Sequence, residues 1–171
     1  MMQAYVSVGS NIAPEENVIT AIKLLADRVP VTAVSTVYLT EPLGPGNQAP
    51  YYNCVIAVET ELAPMDFKRL VLREIESKLG RVRTSDKFAA RTIDLDLILY
   101  DDFVMTGDEL TLPDPQILQR PFLAAPLAEL APDLVLPGSG EPVTAVATRM
   151  RQSGMKPLLS YTERLKKEIL S

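Results

Sequence analysis

Tyr51-Tyr52-Asn53-Cys54-Val55-Ile56-Ala57-Val58-Glu59-Thr60-Glu61 alternates along its length, with Tyr52, Cys54, Ile56 and Val58 on one side and Tyr51, Asn53, Val55 and Ala57 on the other. Side chains of an extended chain alternate between faces. The segment therefore reads as a strand with a core face and an open face. Before it, Thr40–Pro50 carries Pro42, Gly44, Pro45, Gly46 and Pro50, which marks a long loop. Val31 to about Leu39, rich in Val and Thr, reads as another strand. After it, Ala63-Pro64 opens a helix running to Lys78 or Leu79, with Phe67, Leu70, Val71 and Ile75 as its buried stripe and Gly80 as terminator.

Further outward, a basic loop Arg81–Thr92 leads into a strand Ile93–Tyr100. At the start, Gln3–Val8 reads as a strand and Gly9-Ser10-Asn11 as a loop. A helix follows from Glu15 to about Arg28, with Pro14 tolerated in its first turn. The order β-α-β-β-α-β is the ferredoxin-like, split β-α-β arrangement of the α+β class. It predicts an antiparallel sheet with two helices on one face and the other face free for ligands. Phe103–Leu112 could add a hairpin, and Phe122–Ala131, Val143–Arg151 and Leu158–Leu170 read as helices. The expectation is one domain over residues 1–171, with 159–171 as an extra C-terminal helix.

Composition removes several function classes. The 171 residues carry a net charge of −5, which argues against a general nucleic-acid binder. One cysteine, Cys54, leaves no intrachain disulfide and no cysteine-based zinc site; the absence of histidine removes imidazole chemistry altogether. The first lysine is Lys23 and no apolar run has the length of a membrane span, so a cytoplasmic protein without membrane partners is expected.

On the strand 93–100, Ile93, Leu95, Leu97 and Leu99 should point into the core, which sends Asp94 and Asp96 together to the open face. Adjacent carboxylates repel unless a cation lies between them. Magnesium, an oxygen-seeking ion commonly held by one or two carboxylates plus phosphates, is the natural candidate. Surface acids in water are the plain alternative. Arg81, Arg83, Lys87 and Arg91 stand just ahead of the pair, a grouping suited to phosphoryl transfer, although no P-loop sequence is present. Tyr51 and Asn53 share the open face, where a ring and an amide can stack on and pair with a flat heterocycle. Read alone, Phe122 is a core residue and Glu76 a solvated charge.

The chain resembles the 6-hydroxymethyl-7,8-dihydropterin pyrophosphokinase family of folate biosynthesis. The carrying segments are Val8-Gly9-Ser10-Asn11, Thr40-Glu41-Pro42-Leu43-Gly44, Gln48 through Tyr52-Asn53, Glu76 through Leu79-Gly80-Arg81-Val82-Arg83, Arg91-Thr92-Ile93-Asp94-Leu95-Asp96, Leu112-Pro113 and Arg120-Pro121-Phe122. The resemblance implies transfer of pyrophosphate from ATP to the reduced pterin, with two Mg2+ ions on Asp94 and Asp96. It places the pterin between Tyr51 and Phe122, paired with Asn53 and with backbone near Thr40 and Leu43. It puts Arg81, Arg83 and Arg91 on the phosphates as catalytic groups. Glu76, Phe88, Ile98, Asp114 and Arg120 would join Arg83 and Arg91 around ATP. The expected partners are these small molecules only, and the expected state is a monomer. Pro113-Asp114-Pro115 departs from the family's usual Pro-His-Pro, and Phe88 stands where a tryptophan is common. Two other readings stand beside this one: a degenerate relative that binds without turnover, and a ferredoxin-like interaction module.

Overall fold

The computed structural model describes residues 1–42, 44, 46–86, 88–150 and 154–171. Strand β1 (Met2–Ser10) lies at the centre of an antiparallel sheet between β4 (Tyr51–Thr60) and β5 (Asp94–Tyr100). Strands β2 (Val31–Val34) and β3 (Tyr38–Thr40) both pair with β4, and β6 (Lys156–Pro157) pairs with β3 at the edge. This is the predicted ferredoxin-like sheet. Gly9 and Ser10, read as loop from sequence, extend β1 and pair with Asn53 and Tyr52.

The strand expected over residues 31–39 is broken in two because side chains divert its backbone. Ser35 Oγ accepts the Val55 N–H, Glu129 accepts the Thr36 N–H, and Thr162 Oγ1 accepts the Val37 N–H. Each such bond takes the place of a ladder bond without leaving a buried group unpaired.

One face of the sheet carries Ala4, Val6, Val8, Cys54, Ile56, Val58, Leu95 and Leu97 in a single core cluster. Helix α1 (Pro14–Ala26) buries Val18, Ile19, Ala21, Ile22 and Leu25, and its first turn carries Glu15 and Glu16, which suit the positive end of the helix dipole. The second helix is composite: α2 (Pro64–Asp66), a π-helical stretch over Phe67–Leu72, and α3 (Arg73–Lys78). The Arg73 N–H bonds the Lys68 carbonyl, five residues back. That wider turn rotates the stripe, so Leu72 is buried and Leu70, expected inside, is 54% exposed. The C-terminal helix α6 (Leu159–Leu170) adds Leu165 to this core and seats Tyr161 edge-on against Tyr52.

The opposite face is only partly open. A β-bulge between β1 and β5 shifts the register, so Tyr5 pairs with Leu99 but Val6 with Leu97. Leu99, expected in the first core, and Ile98 both join a second cluster with Val55. Helices α4 (Pro121–Leu130) and α5 (Val143–Arg149) cover them through Leu123, Leu127, Val143 and Val146. The end of the helix expected at Arg151 lies outside the described residues. Phe103–Leu112 forms no hairpin beyond a single bridge, Met105 to Leu112. Among the described residues no helix is long and apolar enough to cross a membrane. The uncovered half of this face, at the Ser7–Gly9 end of β1, is the floor of the site.

Candidate active site

A cavity of about 500 Å³ sits on that floor, lined by Tyr51 and Asn53 of β4, Asp94 and Asp96 of β5, and Gly9 of β1. Its walls hold Thr40, Phe88, Arg91, Asp114, Arg120 and Phe122. Ten of the residues singled out from sequence therefore converge. Leu43 and Lys87 lie outside the described residues.

Tyr51, Phe88 and Phe122 give the cavity its aromatic surface. Burial, more than the opposing charges of Arg91 and Asp94, holds the Tyr51 phenol above its ordinary pKa. Asn53 is fixed by donating to Thr40 Oγ1 at 2.6 Å, which leaves its carbonyl oxygen toward Gly9. A Cβ at Gly9 would lie 2.7 Å from that oxygen. Glycine is required here for close approach, a role sequence reading did not assign.

The carboxylates are arranged unequally. Asp94 accepts from Arg81 at 2.6 Å and Arg91 at 2.7 Å. Burial alone would raise its pKa, but the two guanidiniums outweigh burial and hold it below the usual range. Among the described residues Asp96 has no such clamp, and burial first, then Asp94, Glu76 and Asp114, push it up to about 7 against the opposing pull of Arg73. Asp114 caps the 3-10 turn Pro115–Leu118 by accepting the Gln116 N–H at 2.9 Å, and burial raises its carboxyl. It thus both makes the turn and faces the cavity.

Glu76 is neither a solvated charge nor part of the cavity lining. Only 2% exposed, it accepts from Arg73 (2.8 Å), Arg81 (2.8 Å), Arg83 (2.6 Å) and the Leu95 N–H (2.8 Å). It positions arginines from behind the sheet edge. Arg81, 9% exposed, bridges Glu76 and Asp94, and these partners raise its pKa although burial acts the other way. Arg83 reaches Glu76 from a side chain 52% exposed. Ile98, the remaining expected ATP contact, keeps the face of Asp94 and Asp96 but is packed into the second core, and its carbonyl accepts the Asp114 N–H.

Two further organisers carry no charge. Asn11, buried, exchanges bonds with the Arg91 backbone and donates to Gln48 Oε1 and the Ala49 carbonyl. Gln48 in turn donates to the Phe88 carbonyl, and the Phe88 ring packs on Gly44, which has φ +94°. These bonds tie the loop before β4 to the arginine-bearing loop before β5. Arg120 Nε is buried in the wall and has no hydrogen-bond partner among the described residues.

Behind Asp96 and Asp114 lies a smaller recess of about 240 Å³, lined by Lys68, Arg73, Leu95, Leu97, Glu109 and Thr111 among others. Among the described residues no three His, Cys, Asp or Glu side chains form a ready-made metal cage. Asp94 and Asp96 instead match an ion that takes few protein ligands and completes its shell with phosphate and water.

An antiparallel α+β sheet with a polar, aromatic-walled cavity between arginines and paired carboxylates defines a ferredoxin-like phosphotransfer enzyme. The sequence matches the family 7,8-dihydro-6-hydroxymethylpterin-pyrophosphokinase over residues 5–132, and the chain belongs to that family. It is 38% identical to the 2-amino-4-hydroxy-6-hydroxymethyldihydropteridine pyrophosphokinase of Haemophilus influenzae over 142 residues, 81% of this chain and 88% of the relative. It is 39% identical to the Pseudomonas aeruginosa protein of the same name over 140 residues, 80% and 85% of the two chains. A solved Plasmodium falciparum HPPK-DHPS shares the fold at TM-score 0.69 and 12% identity, covering 99% of this chain. This chain spans 47% of that longer one.

Proposed function

We propose that this chain transfers pyrophosphate from ATP to the hydroxymethyl group of 6-hydroxymethyl-7,8-dihydropterin and releases AMP. The observation that carries the reading is a shared wall: Asp96 and Asp114 line both the main cavity and the recess. A flat acceptor in one and a nucleotide in the other would meet at the carboxylates.

The pterin stacks between Tyr51 and Phe122, with Asn53 on its polar edge, and ATP lays its base and ribose in the recess. The pterin hydroxyl oxygen bonds to the β-phosphorus while the bond from that phosphorus to the α-phosphate's bridging oxygen breaks. The electron pair leaves on AMP, and the hydroxyl proton passes to a phosphate oxygen and is lost to solvent when the products leave. Asp94 and Asp96 would hold two magnesium ions, which neutralise phosphate charge when bound. Arg91 and Arg120 face the same phosphates, while Arg81 and Arg83 approach from the loop that Glu76 anchors. Folding that loop over the cavity would exclude water as a competing acceptor. The whole chain acts as one catalytic unit, a monomer.

The test is AMP release with ATP, magnesium and 6-hydroxymethyl-7,8-dihydropterin. AMP formation that depends on the pterin is expected. AMP formed equally without it, or none despite measurable binding of both substrates, would remove the proposal.

A further inference from the structure

Among the described residues, the wall of the recess carries one cation without an ion-pair partner. Arg73, Arg81 and Arg83 are engaged by Glu76, and Arg81 and Arg91 by Asp94. Lys68, on the wall of the recess, forms no ion pair among the described residues, and its ammonium donates to the backbone carbonyl of Glu109. The Glu109 carboxylate is occupied elsewhere, accepting from Arg69 Nε at 3.1 Å and Nη2 at 2.8 and 2.9 Å. Burial, then Arg73, holds the Lys68 ammonium below its ordinary pKa against the weaker pulls of Asp96 and Glu109, so an anion placed there would meet a charge that its surroundings compensate only in part.

The π-helical stretch accounts for the placement. In a regular α-helix, residues five apart lie about 140° apart around the axis. The wider turn closed by the Arg73 N–H on the Lys68 carbonyl brings Lys68 and Arg73 to one side, and both line the recess. Facing them are Asp96 and Asp114, the wall shared with the main cavity.

We propose that Lys68 is a substrate-binding residue of the recess, its ammonium taking the α-phosphate of the nucleotide and holding the AMP that leaves. This rests on the pyrophosphokinase reading, in which the transferred group goes to the main cavity and AMP stays behind in the recess. When the β-phosphorus-to-oxygen bond breaks, the electron pair remains on the α-phosphate, and among the described residues Lys68 is the cation lining the recess that no ion pair engages. It offsets the negative charge that Asp114 places on the opposite wall.

The test is calorimetric titration of the full chain and of Lys68→Met with AMP and with adenosine, which lacks the phosphate. Loss of one charge-assisted bond to phosphate predicts about tenfold weaker AMP binding with adenosine unchanged, and Lys68→Arg should restore most of it. AMP affinity unchanged in Lys68→Met, or AMP and adenosine weakened alike, would overturn the assignment. Pterin titration serves as the folding control, with Lys68→Gln as a second variant should Lys68→Met fail it. If the unsubstituted protein binds neither ATP nor AMP, the pyrophosphokinase reading falls, and this inference with it.

Discussion

Replacing Glu76 by glutamine removes one charge and almost no volume, and it should cost the protein about 3 kcal/mol. Three guanidiniums and one N–H converge on this carboxylate, which is 2% exposed. They do not count equally. Arg83 is 52% exposed, and a pair of that kind contributes about 0–1 kcal/mol. Arg81 is 9% exposed, so its pair with Glu76 is the one whose loss strands a buried charge, a change that typically costs about 3–5 kcal/mol. Asp94 still holds the same guanidinium at 2.6 Å, which puts the cost near the lower end. Glutamine's carbonyl can keep the Leu95 N–H. With a urea m-value of about 2 kcal/mol/M, the unfolding midpoint should fall by about 1.5 M. Equilibrium urea unfolding of the two proteins reads this directly. A shift below about 0.5 M would mean that the arginines are solvated singly, and the anchoring role would be withdrawn.

The two aspartates proposed to hold magnesium should part company in the ligand-free protein. Asp94→Asn should lower stability, since Asp94 has a depressed pKa whose benefit is present above the unfolded value and lost on acidification. Asp96→Asn should raise it, because the folded protein keeps a proton on Asp96 up to about 7 while the unfolded chain releases it near 4. The gain should grow between those pH values and level off above them, as melting curves across pH would show, and both variants should lose turnover. Asp114→Asn keeps an oxygen for the Gln116 N–H but removes negative charge from the phosphate wall. Magnesium-ATP should bind about tenfold tighter for a relieved repulsion of about 1.4 kcal/mol, and unchanged affinity would leave Asp114 only its turn. Gly9→Ala drives a methyl group to 2.7 Å from Asn53 Oδ1. Pterin affinity should drop while ATP affinity holds, and equal losses of both would point to a general collapse of the sheet instead.

The sheet order and the convergence of Tyr51, Asn53, Asp94 and Asp96 were legible because period-two alternation assigns faces without knowledge of partners. Leu99 was misplaced because a bulge adds a residue to one strand, and nothing in a single strand's alternation reports its neighbour's register. Leu70 failed for a related reason: a π turn changes the period that the stripe assumes. Glu76 lies where helical spacing permits either a core or a surface residue. Only the arginines arriving from elsewhere in the chain decide the matter. Asn11 and Gln48 work by tying backbones together, and no local pattern announces a bond between residues so far apart.

The two sides of the cavity are built on different foundations. Tyr51, Asn53 and the aspartates ride on the sheet, backed by α1 and α6, whereas Phe122 opens α4, whose packing partners are those of the second cluster. The gap in which a flat ring must fit is therefore a seam between two separately packed bodies, and its width follows how tightly α4 and α5 sit on Val55 and Ile98. Loosening of that smaller body would spread the seam while leaving the sheet intact, so binding would fail before unfolding began. A ring bridging the seam would in turn act as a staple, holding the smaller body to the sheet and adding to its stability.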